Sequence, residues 1–392
     1  MQRVLLDRIT AEIREHGPIS FARFMERALT EPELGYYVTD KVRAGREGDF
    51  ITAPEMHGLL GSALARLIAE TWIRLDQPNK FRYTEYGAGS GALVTAVLDQ
   101  LMRDRSPLLD VLEIQPIEVN RIRLIELHQS ISARAANTPL TIVGADAPPA
   151  PGAVIANEYL DALPFQIFVG RKSATHGIAE RRVDVNDRGA LQWAEVPLNA
   201  QEAQRVHTRF GARLAEGQRA EVCFGADVWP LELPKRISHG LVAVIDYGRE
   251  GVQLRDATTR AAGTALAYQG HRATEDLLGD PGERDLTAHV DLTALRVAAR
   301  SAGLTPIAST SQAALLAGAG LDSEIERIRR GPDATLEGAI ALRSALARLM
   351  NPRSMGGFAV ELFALGSAEH VSRLGDALNP LPGAAAPIRP LV

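Results

Sequence analysis

The chain has 392 residues, of which 46% are apolar and 23% charged, a composition typical of a soluble protein with one large domain or two smaller ones. A net charge of −5 and a pI near 6.0 give no electrostatic footprint for nucleic acid, and no apolar run is long enough to span a membrane. Cys223 is the only cysteine, which excludes an internal disulfide or a thiolate metal cluster. Early charges in residues 1–7 are untypical of a secretory signal. We therefore expect a cytoplasmic protein with no metal, no nucleic-acid partner and no membrane insertion.

Residues 1–79 are predicted to form a helical extension. A first helix should end at Gly17-Pro18, and Ser20 can cap a second one. A glycine-rich, charged stretch over 35–48 could act as a lid that excludes water. A long amphipathic helix then has apolar residues at a spacing of three and four. The apolar positions of the first and the long helix are Leu5, Leu6, Ile9 and Ile13, and Leu60, Leu64, Leu67, Ile68 and Trp72.

From residue 80 to 392 the pattern predicts one α/β domain, in which strands alternate with helices and form a parallel sheet covered on both faces. Residues 171–235 interrupt this alternation with a predicted hairpin at 181–194, and we interpret them as an insertion. Predicted helices cover 92–102 and 119–133, and another follows an Asp291 cap. The predicted strands are 81–86, 109–114, 141–143, 153–156, 241–246 and 358–364.

A glycine-rich loop joins the first predicted strand to the helix after it. Gly87, Gly89 and Gly91, with Ala88 between them, allow positive φ and let the backbone approach a ligand without a Cβ in the way. The helix that follows directs its free N–H groups and positive dipole end toward a carboxylate or phosphate. This loop is therefore predicted to bind a nucleoside-type cofactor.

Two cofactors fit this loop, a dinucleotide and S-adenosylmethionine (SAM). Gly87, Gly89 and Ala92 satisfy the dinucleotide pattern loosely. Glu85 favours SAM, because SAM ends in an ammonium group as well as a carboxylate, whereas an acid would repel a pyrophosphate. Glu113, at the end of the second predicted strand, can accept hydrogen bonds from both ribose hydroxyls. Asp146 could approach the adenine, although Gly144-Ala145-Asp146 is also ordinary turn chemistry.

Five blocks of sequence resemble, in the same order, the MidA-type methyltransferases, the family that includes the mitochondrial complex I assembly methyltransferase. The match extends from about Pro18 to Phe363. The blocks are Gly48-Asp49-Phe50-Ile51-Thr52-Ala53-Pro54-Glu55, Glu85-Tyr86-Gly87-Ala88-Gly89-Ser90-Gly91, Asn157-Glu158-Tyr159-Leu160-Asp161-Ala162-Leu163-Pro164, Asp246-Tyr247-Gly248 and Asp285-Leu286-Thr287-Ala288-His289-Val290-Asp291.

The resemblance implies a class I, Rossmann-like, seven-stranded SAM-dependent methyltransferase sheet. It also implies a helical N-terminal extension and an insertion after the fourth strand. The mitochondrial member methylates arginine in a complex I subunit, so a protein substrate of that kind is the expected partner. Two positions depart from the family pattern, because Ser90 often corresponds to an acid and Ala53 commonly corresponds to serine.

The third block follows the predicted fourth strand, at the edge where open α/β sheets bind ligands. Asn157 should contact the cofactor. Glu158 and Asp161 are three residues apart, so one helical turn would bring them to the same side, where they can orient a guanidinium. Glu158 could instead be a helix N-terminal acid stabilised by the dipole. Pro164, at the end of the block, is assigned to the substrate side.

Other assignments have structural alternatives. Thr52 and Glu55 fit a capping box, but Thr52 is also assigned to the cofactor and Glu55 to catalysis. Asp246 and Tyr247 end an apolar strand and could either contact substrate or form a turn. His289 could be a base or a substrate contact, although a lone histidine is more often structural.

The sequence thus predicts a SAM-dependent methyltransferase that methylates arginine in a partner protein. A small-molecule O-methyltransferase on the same scaffold is the enzymatic alternative, and a SAM-binding assembly factor without turnover is the non-catalytic one. NAD-dependent oxidoreduction is a more distant competitor. The oligomeric state is open, with a homodimer among the possibilities.

Overall fold

The structure of the chain is a computed structural model, which describes residues 2–39, 53–331 and 334–376. Its helices are α1 (Gln2–His16), α2 (Phe21–Thr30), α3 (Ala53–Met56), α4 (Leu59–Arg74), α5 (Ala92–Arg103), α6 (Arg121–Arg134), α7 (Ala200–Phe210), α8 (Phe224–Val228), α9 (Gly251–Leu254), α10 (Leu292–Ser301), α11 (Gln312–Gly318), α12 (Leu321–Arg330), α13 (Leu336–Leu349) and α14 (Ala368–Asp376). Its strands are β1 (Ile19–Ser20), β2 (Phe81–Tyr86), β3 (Leu112–Ile117), β4 (Thr141–Ile142), β5 (Ala150–Asn157), β6 (Gln166–Gly170), β7 (Ile178–Val185), β8 (Leu191–Pro197), β9 (Arg219–Val222), β10 (Ile237–Asp246), β11 (Gly248–Arg249), β12 (Leu266–Gln269), β13 (Arg272–Thr274), β14 (Asp285–Thr287), β15 (Val290–Asp291), β16 (Leu304–Ser311) and β17 (Ala359–Leu365).

A mixed sheet forms the centre of the fold. Within the described residues it has seven strands in the order β16-β17-β10-β5-β2-β3-β4. The strands from β10 to β4 are parallel to one another, and β17 is antiparallel to both of its neighbours. The chain starts at β2, moves outward to β4 and returns to β5, so the topological switch point lies between β2 and β5. Ligands of open α/β sheets bind at this point, beyond the carboxyl ends of the strands.

Both faces of this sheet are buried, as the alternating strands and helices predict. Along β10, Leu241, Ala243 and Ile245 point into the apolar cluster that contains α4 and α5. Val242 and Val244, between them, point into the opposite cluster with α10. Each fully buried aliphatic side chain of this kind contributes roughly 1.5–3 kcal/mol, so the two layers fix the sheet firmly.

The predicted N-terminal extension is not one structural unit. α4 packs on the central sheet, whereas α1 and α2 share a third apolar cluster with the small sheet formed by β1, β6, β7, β8 and β9. β1 pairs directly with β7. Residues 2–39 therefore pack with the segment between β5 and β10. The predicted domain boundary at residue 79 groups α4 with these residues, although α4 packs on the central sheet.

Several local predictions are confirmed. Ser20 caps α2 by accepting a hydrogen bond from the Arg23 amide, and Asp291 caps α10 in the same way. The hairpin predicted at 181–194 is the antiparallel pair β7 and β8. The interrupting segment starts earlier than predicted, since β6 at Gln166 already belongs to the small sheet.

A third sheet, of β12, β13 and β14, was not predicted. Its buried residues Ala267 and Leu286 join the apolar cluster of α1 and α2. These elements together cover the carboxyl edge of the central sheet. The predicted lid falls outside the described residues from position 40 onward. No helix in the described part of the chain is long and apolar enough to cross a membrane.

The second strand of the central sheet was predicted in the wrong place. It covers Leu112–Ile117 and not 109–114, since residues 107–110 form a short 3₁₀ helix. Proline normally argues against a position inside a strand. Pro116 is tolerated because its ring nitrogen lies on the β4 side, where pairing stops after Ile142. The strand therefore ends at Ile117, and Glu113 is its second residue.

Candidate active site

A cavity of about 510 Å³ lies at the carboxyl ends of β2, β5 and β10. The glycine loop forms one wall of this cavity, and the segment after β5 forms its floor. The strands β12 and β14 cover it on the other side. Predicted site residues that line it are Glu55, Glu85, Gly87, Ala88, Gly89, Asn157, Glu158, Asp161, Pro164, Tyr247 and His289. Thr52 lies outside the described residues. Gly91, Glu113, Asp146 and Asp246 are not part of its lining.

The glycines of the loop have different roles. Gly87, Gly89 and Gly91 all have positive φ, at 66°, 53° and 78°. A Cβ on Gly89 would meet only the Gly87 carbonyl, 3.8 Å away, so this loop leaves open space beside the cavity. A Cβ on Gly91 would come within 2.3 Å of Leu127. Gly91 is therefore required for the start of α5 and its packing on α6, and we correct its assignment to the cofactor.

Glu85 lies at the end of β2 with its carboxylate buried. Burial raises its pKa to about 8; a hydrogen bond from the Tyr83 hydroxyl opposes this shift, and the nearby Glu118 carboxylate adds to it. Within the residues that the structure describes, no basic side chain pairs with Glu85. A buried carboxylate without a cation favours a ligand that brings one.

Glu118, which the sequence reasoning missed, is the acid at the end of β3. Its two carboxylate oxygens accept hydrogen bonds from the amides of Gly89 and Asn120, each at 2.8 Å. The side chain lines the cavity beside the glycine loop. This is the position from which an acid can accept hydrogen bonds from ribose hydroxyls. An acid directly after the strand was a usable signal, but the strand was predicted to end at residue 114 instead of Ile117.

Glu113 cannot take that role. It lies at the amino end of β3, where its carboxylate pairs with Arg82 at 2.6 Å and with Lys80 at 3.0 Å. Burial would raise the pKa of Glu113, but these hydrogen bonds outweigh burial and leave the pKa below its usual value. Asp146 is exposed, in a turn before β5. The assignment of both residues to the cofactor is therefore corrected.

Glu158 directly follows β5 and has a φ of +48°, a conformation that is costly for a residue with a Cβ and is common at functional sites. Its amide donates to the carbonyl of Ile245 at 2.8 Å. Its carboxylate accepts the Tyr247 hydroxyl at 3.1 Å and, more weakly, the Asn157 side-chain amide at 3.4 Å. Burial and the charge of Asp246 raise the pKa of Glu158 to about 7.

The carboxyl groups of Asp161 and Asp246 lie close to each other and to Glu158, so that the charge of Asp246 affects the pKa of both other groups. Asp161 is buried, and its Oδ1 has no hydrogen-bond partner among the described residues. Burial and the charges of Asp246, Asp285 and Glu158 raise the pKa of Asp161 well above its ordinary value. Asp246 accepts the amides of Leu160 at 2.9 Å and Asp161 at 3.3 Å. Asp246 therefore positions the segment instead of contacting substrate, a correction to its assignment.

The cover of the cavity supplies residues to which the sequence analysis gave no role. Asp285, at the start of β14, is buried and accepts the Tyr37 hydroxyl at 2.5 Å. Both residues line the cavity opposite the segment after β5. No motif pointed to this contact, because the two residues are 248 positions apart and meet only through tertiary packing.

His289 lines the cavity between β14 and β15. Burial lowers its pKa to about 4, and the charges of Arg260 and Arg249 add to the shift. The imidazole is therefore neutral at physiological pH, and it is too weak a base for efficient general base catalysis. A role in contacting substrate remains a prediction.

Glu55 belongs to the short helix α3, which ends at Met56 before α4 begins at Leu59. The predicted single helix is therefore interrupted. Glu55 accepts a hydrogen bond from the Ser90 hydroxyl at 3.2 Å, which connects α3 with the glycine loop.

The strand order and this cavity define a class I SAM-dependent methyltransferase. The family model described as "Putative S-adenosyl-L-methionine-dependent methyltransferase" matches residues 63–310. The chain belongs to this family, the MidA-type methyltransferases that its motifs resemble.

Relatives match nearly the whole chain. The protein arginine methyltransferase NDUFAF7, mitochondrial, of Danio rerio is 26% identical, with 96% of this chain and 89% of the relative covered. Its Homo sapiens counterpart is 28% identical over 90% of this chain and 81% of its own length. A Burkholderia thailandensis crystal structure bound to S-adenosyl-homocysteine is 30% identical, covers 95% of both chains and has a TM-score of 0.81.

The relatives contradict the expected location. Those described above from Danio rerio and Homo sapiens are named as mitochondrial proteins. The expectation of a cytoplasmic protein is therefore wrong. It rested on the single cysteine and the charged N-terminus, which indicate a reducing compartment but do not distinguish one such compartment from another.

Replacing Glu118 with glutamine should lower the affinity for SAM and S-adenosyl-homocysteine at least about tenfold, because a charge-assisted hydrogen bond is lost. Glu113→Gln is the matched control. It should leave the affinity unchanged but lower the free energy of unfolding by about 3 kcal/mol, since it leaves the buried Arg82 charge without its main partner. Calorimetric titration and urea unfolding measure the two effects. The opposite pattern would restore Glu113 as the cofactor acid.

SAM affinity should rise roughly tenfold between pH 6.0 and 7.5, as expected for a carboxyl group that must lose its proton to bind an ammonium. The group is Glu85, whose pKa of about 8 in the free protein keeps much of it protonated at neutral pH. This range stays below the pKa of about 7.7–8.0 that is usual for an α-amino group, so SAM keeps its ammonium charge. Glu85→Gln should flatten this dependence. Titration calorimetry at several pH values measures it. A pH-independent affinity in the unmodified protein contradicts the role of Glu85.

Asp161→Asn should raise the melting temperature at pH 8. A carboxyl whose pKa is higher in the folded than in the unfolded state binds more protons when folded, so stability falls as pH rises from about 4 through the folded pKa. The substitution removes this penalty, and the difference should vanish near pH 4. Thermal unfolding across this pH range tests it, with the exposed Asp187→Asn as control. An equal effect at both pH values would show a packing change instead.

Proposed function

We propose that the protein transfers a methyl group from SAM to an arginine side chain of a partner protein. The observation that carries this proposal is the acidic floor of the cavity. Glu158 and Asp161 lie there beside the glycine loop, and within the described residues neither forms an ion pair with a basic side chain. Carboxylates with raised pKa values in a cavity favour a cationic ligand.

The residues of the cofactor side fit SAM. The Glu85 carboxylate would hold the ammonium group, and Glu118 would accept the ribose hydroxyls. Gly87 and Gly89 leave room for the backbone to approach. The buried Asn157 Oδ1 has no hydrogen-bond partner among the described residues and offers one more acceptor. When bound, SAM supplies an electrophilic methyl group on a sulfonium.

A guanidinium is a planar donor that suits two carboxylates. Glu158 and Asp161 would bind its N–H groups and localise the positive charge away from the nitrogen that attacks. That nitrogen forms the new N–C bond, the C–S bond breaks, and its electron pair stays on sulfur. The methylated nitrogen then loses a proton. Glu158 can take it, because its pKa of about 7 matches the working pH.

The other cavity residues have supporting roles. Tyr247 donates its hydroxyl to Glu158 and so fixes the carboxylate that faces the acceptor. Glu55, Pro164, His289, Tyr37 and Asp285 would complete the walls around the arginine side chain. Exclusion of water by such walls strengthens the electrostatic contacts inside them. Thr52 stays a predicted contact of the cofactor.

The relatives support a protein acceptor, since they are named protein arginine methyltransferases. Their mitochondrial names favour a mitochondrial setting over the cytoplasm. A subunit of respiratory complex I, which the family resemblance implies, is the first acceptor to test. A homodimer stays a prediction, and nothing in the proposed chemistry requires a second copy of the chain.

Glu158→Gln should reduce methyl transfer to arginine about a hundredfold or more, because it removes one carboxylate of the clamp and the proton acceptor. SAM affinity should remain within a factor of about two, because the carboxylate faces the acceptor side of the cavity. The assay incubates the protein with labelled SAM and candidate acceptors and maps the label by mass spectrometry.

The matched control is Glu369→Gln, which removes the same charge at an exposed position of α14. It should leave transfer unchanged. Label found only on a small molecule would overturn the proposal in favour of a small-molecule methyltransferase. SAM binding without transfer to any acceptor would favour an assembly factor without turnover. Unchanged transfer by the Glu158 variant would remove that residue from the mechanism.

A further inference from the structure

A second chamber of about 200 Å³ adjoins the active-site cavity. The two spaces share Thr264, Leu266 and His289 as lining residues. Thr264 lies just before β12, Leu266 is the first residue of β12, and His289 lies between β14 and β15. The two spaces are therefore neighbours that lie on either side of these three residues.

The chamber, unlike the floor of the cavity, contains basic side chains. Arg260 lines it, and the Arg260 guanidinium has no hydrogen bond or ion pair to any described residue. Arg219 has one distant partner, Glu275, at 3.7 Å, and the Glu275 side chain is 74% exposed. The Glu221 carboxylate already has hydrogen-bond donors, because it accepts hydrogen bonds from Thr264 and from the amide of Ala265. Arg260 is thus the one cation of this lining that the described residues leave unpaired.

The charge of Arg260 acts on the wall that the chamber shares with the cavity. After burial, the charge of Arg260 is the largest contribution that lowers the pKa of His289. The Nδ1 atom of His289 is buried and has no hydrogen-bond partner among the described residues. The field of the guanidinium therefore acts on the same side chain that lines the acidic cavity.

Glu158 and Asp161 line one of these two adjacent spaces, and the unpaired Arg260 lines the other. We propose that the chamber is a subsite for an aspartate or glutamate side chain near the target arginine in the acceptor protein. This inference rests on the proposed function. A guanidinium binds a carboxylate through two parallel hydrogen bonds. Arg260 would thus select acceptors in which an acidic residue accompanies the arginine.

The walls favour a carboxylate over a phosphate group. Glu221 and Glu275 line the same chamber as Arg260. Acids so close would repel a dianionic phosphate more strongly than a singly charged carboxylate. The chamber volume of about 200 Å³ holds a short acidic side chain with its backbone outside. The occupant is therefore one acidic residue of the acceptor.

The test compares acceptors that differ only in this acid. The probes are short synthetic peptides with one arginine, in which each flanking position carries either aspartate or asparagine. The acceptor protein found by the labelling experiment is used in the same way, with its flanking acids changed to amides. The unmodified enzyme should prefer the acid at one position by about tenfold in kcat/KM, as expected for a charge-assisted hydrogen bond. The difference should lie in KM, because this contact is equal in the ground and transition states.

Arg260→Gln should abolish this preference and raise KM for acidic acceptors about tenfold, with kcat and SAM affinity retained. Arg272→Gln, at an exposed position of β13, removes the same charge and should change neither. Arginine methylation without discrimination between acid and amide overturns the subsite alone, as does an Arg260 variant that keeps the preference. If the variant does not fold, the comparison of acceptors with the unmodified enzyme decides the question. Absence of transfer to any arginine overturns the proposed function together with the subsite.

Discussion

The Asp246 carboxylate at the end of β10 is the contact on which the active site depends. Its oxygens accept the amides of Leu160, Asp161 and Tyr247. One side chain thereby joins the ends of β5 and β10 at the switch point of the sheet. Because these amides are buried, losing their acceptor would leave several donors unsatisfied, each at a cost of about 1–3 kcal/mol. The segment that presents Glu158 and Asp161 is held by this anchor.

The anchor also generates the electrostatic character of the site. Asp246, Glu158 and Asp161 place three carboxyl groups in one buried region, where burial and then their mutual repulsion raise the pKa values of Asp161 and Glu158. This arrangement is unfavourable in the free protein. A bound guanidinium would relieve it, because the repulsion would be replaced by attraction. Strain and uncompensated charge of this kind are expected at a binding site and are hard to explain as part of a stable core.

The sequence predicts the cofactor side better than the acceptor side, for a physical reason. Glu85 and the glycine loop belong to one strand, turn and helix, so local spacing alone brings them together. Tyr37 and Asp285 meet across 248 positions, and the cover that joins them depends on α2 packing against β14 and the small sheet. Short strands with mixed polarity carry too weak a pattern to reveal such packing. The same limit explains why the N-terminal helices were assigned to a separate unit.

From the sequence, Glu113 was predicted to be the ribose-binding acid, whereas the structure indicates Glu118, and the cause is the misplaced end of one strand. Glu113 is the second residue of the strand Leu112–Ile117 and Glu118 directly follows it, so the choice between them depends on where the strand ends. The predicted strand ended at residue 114, whereas the observed strand continues through Pro116, because a proline is harmless where its nitrogen faces no partner. Arg82 supplied a second signal. A fully buried arginine on the neighbouring strand requires an acid beside it, and the parallel register pairs Arg82 with Glu113. Glu113 was therefore already engaged in the core, which leaves Glu118 for the ligand.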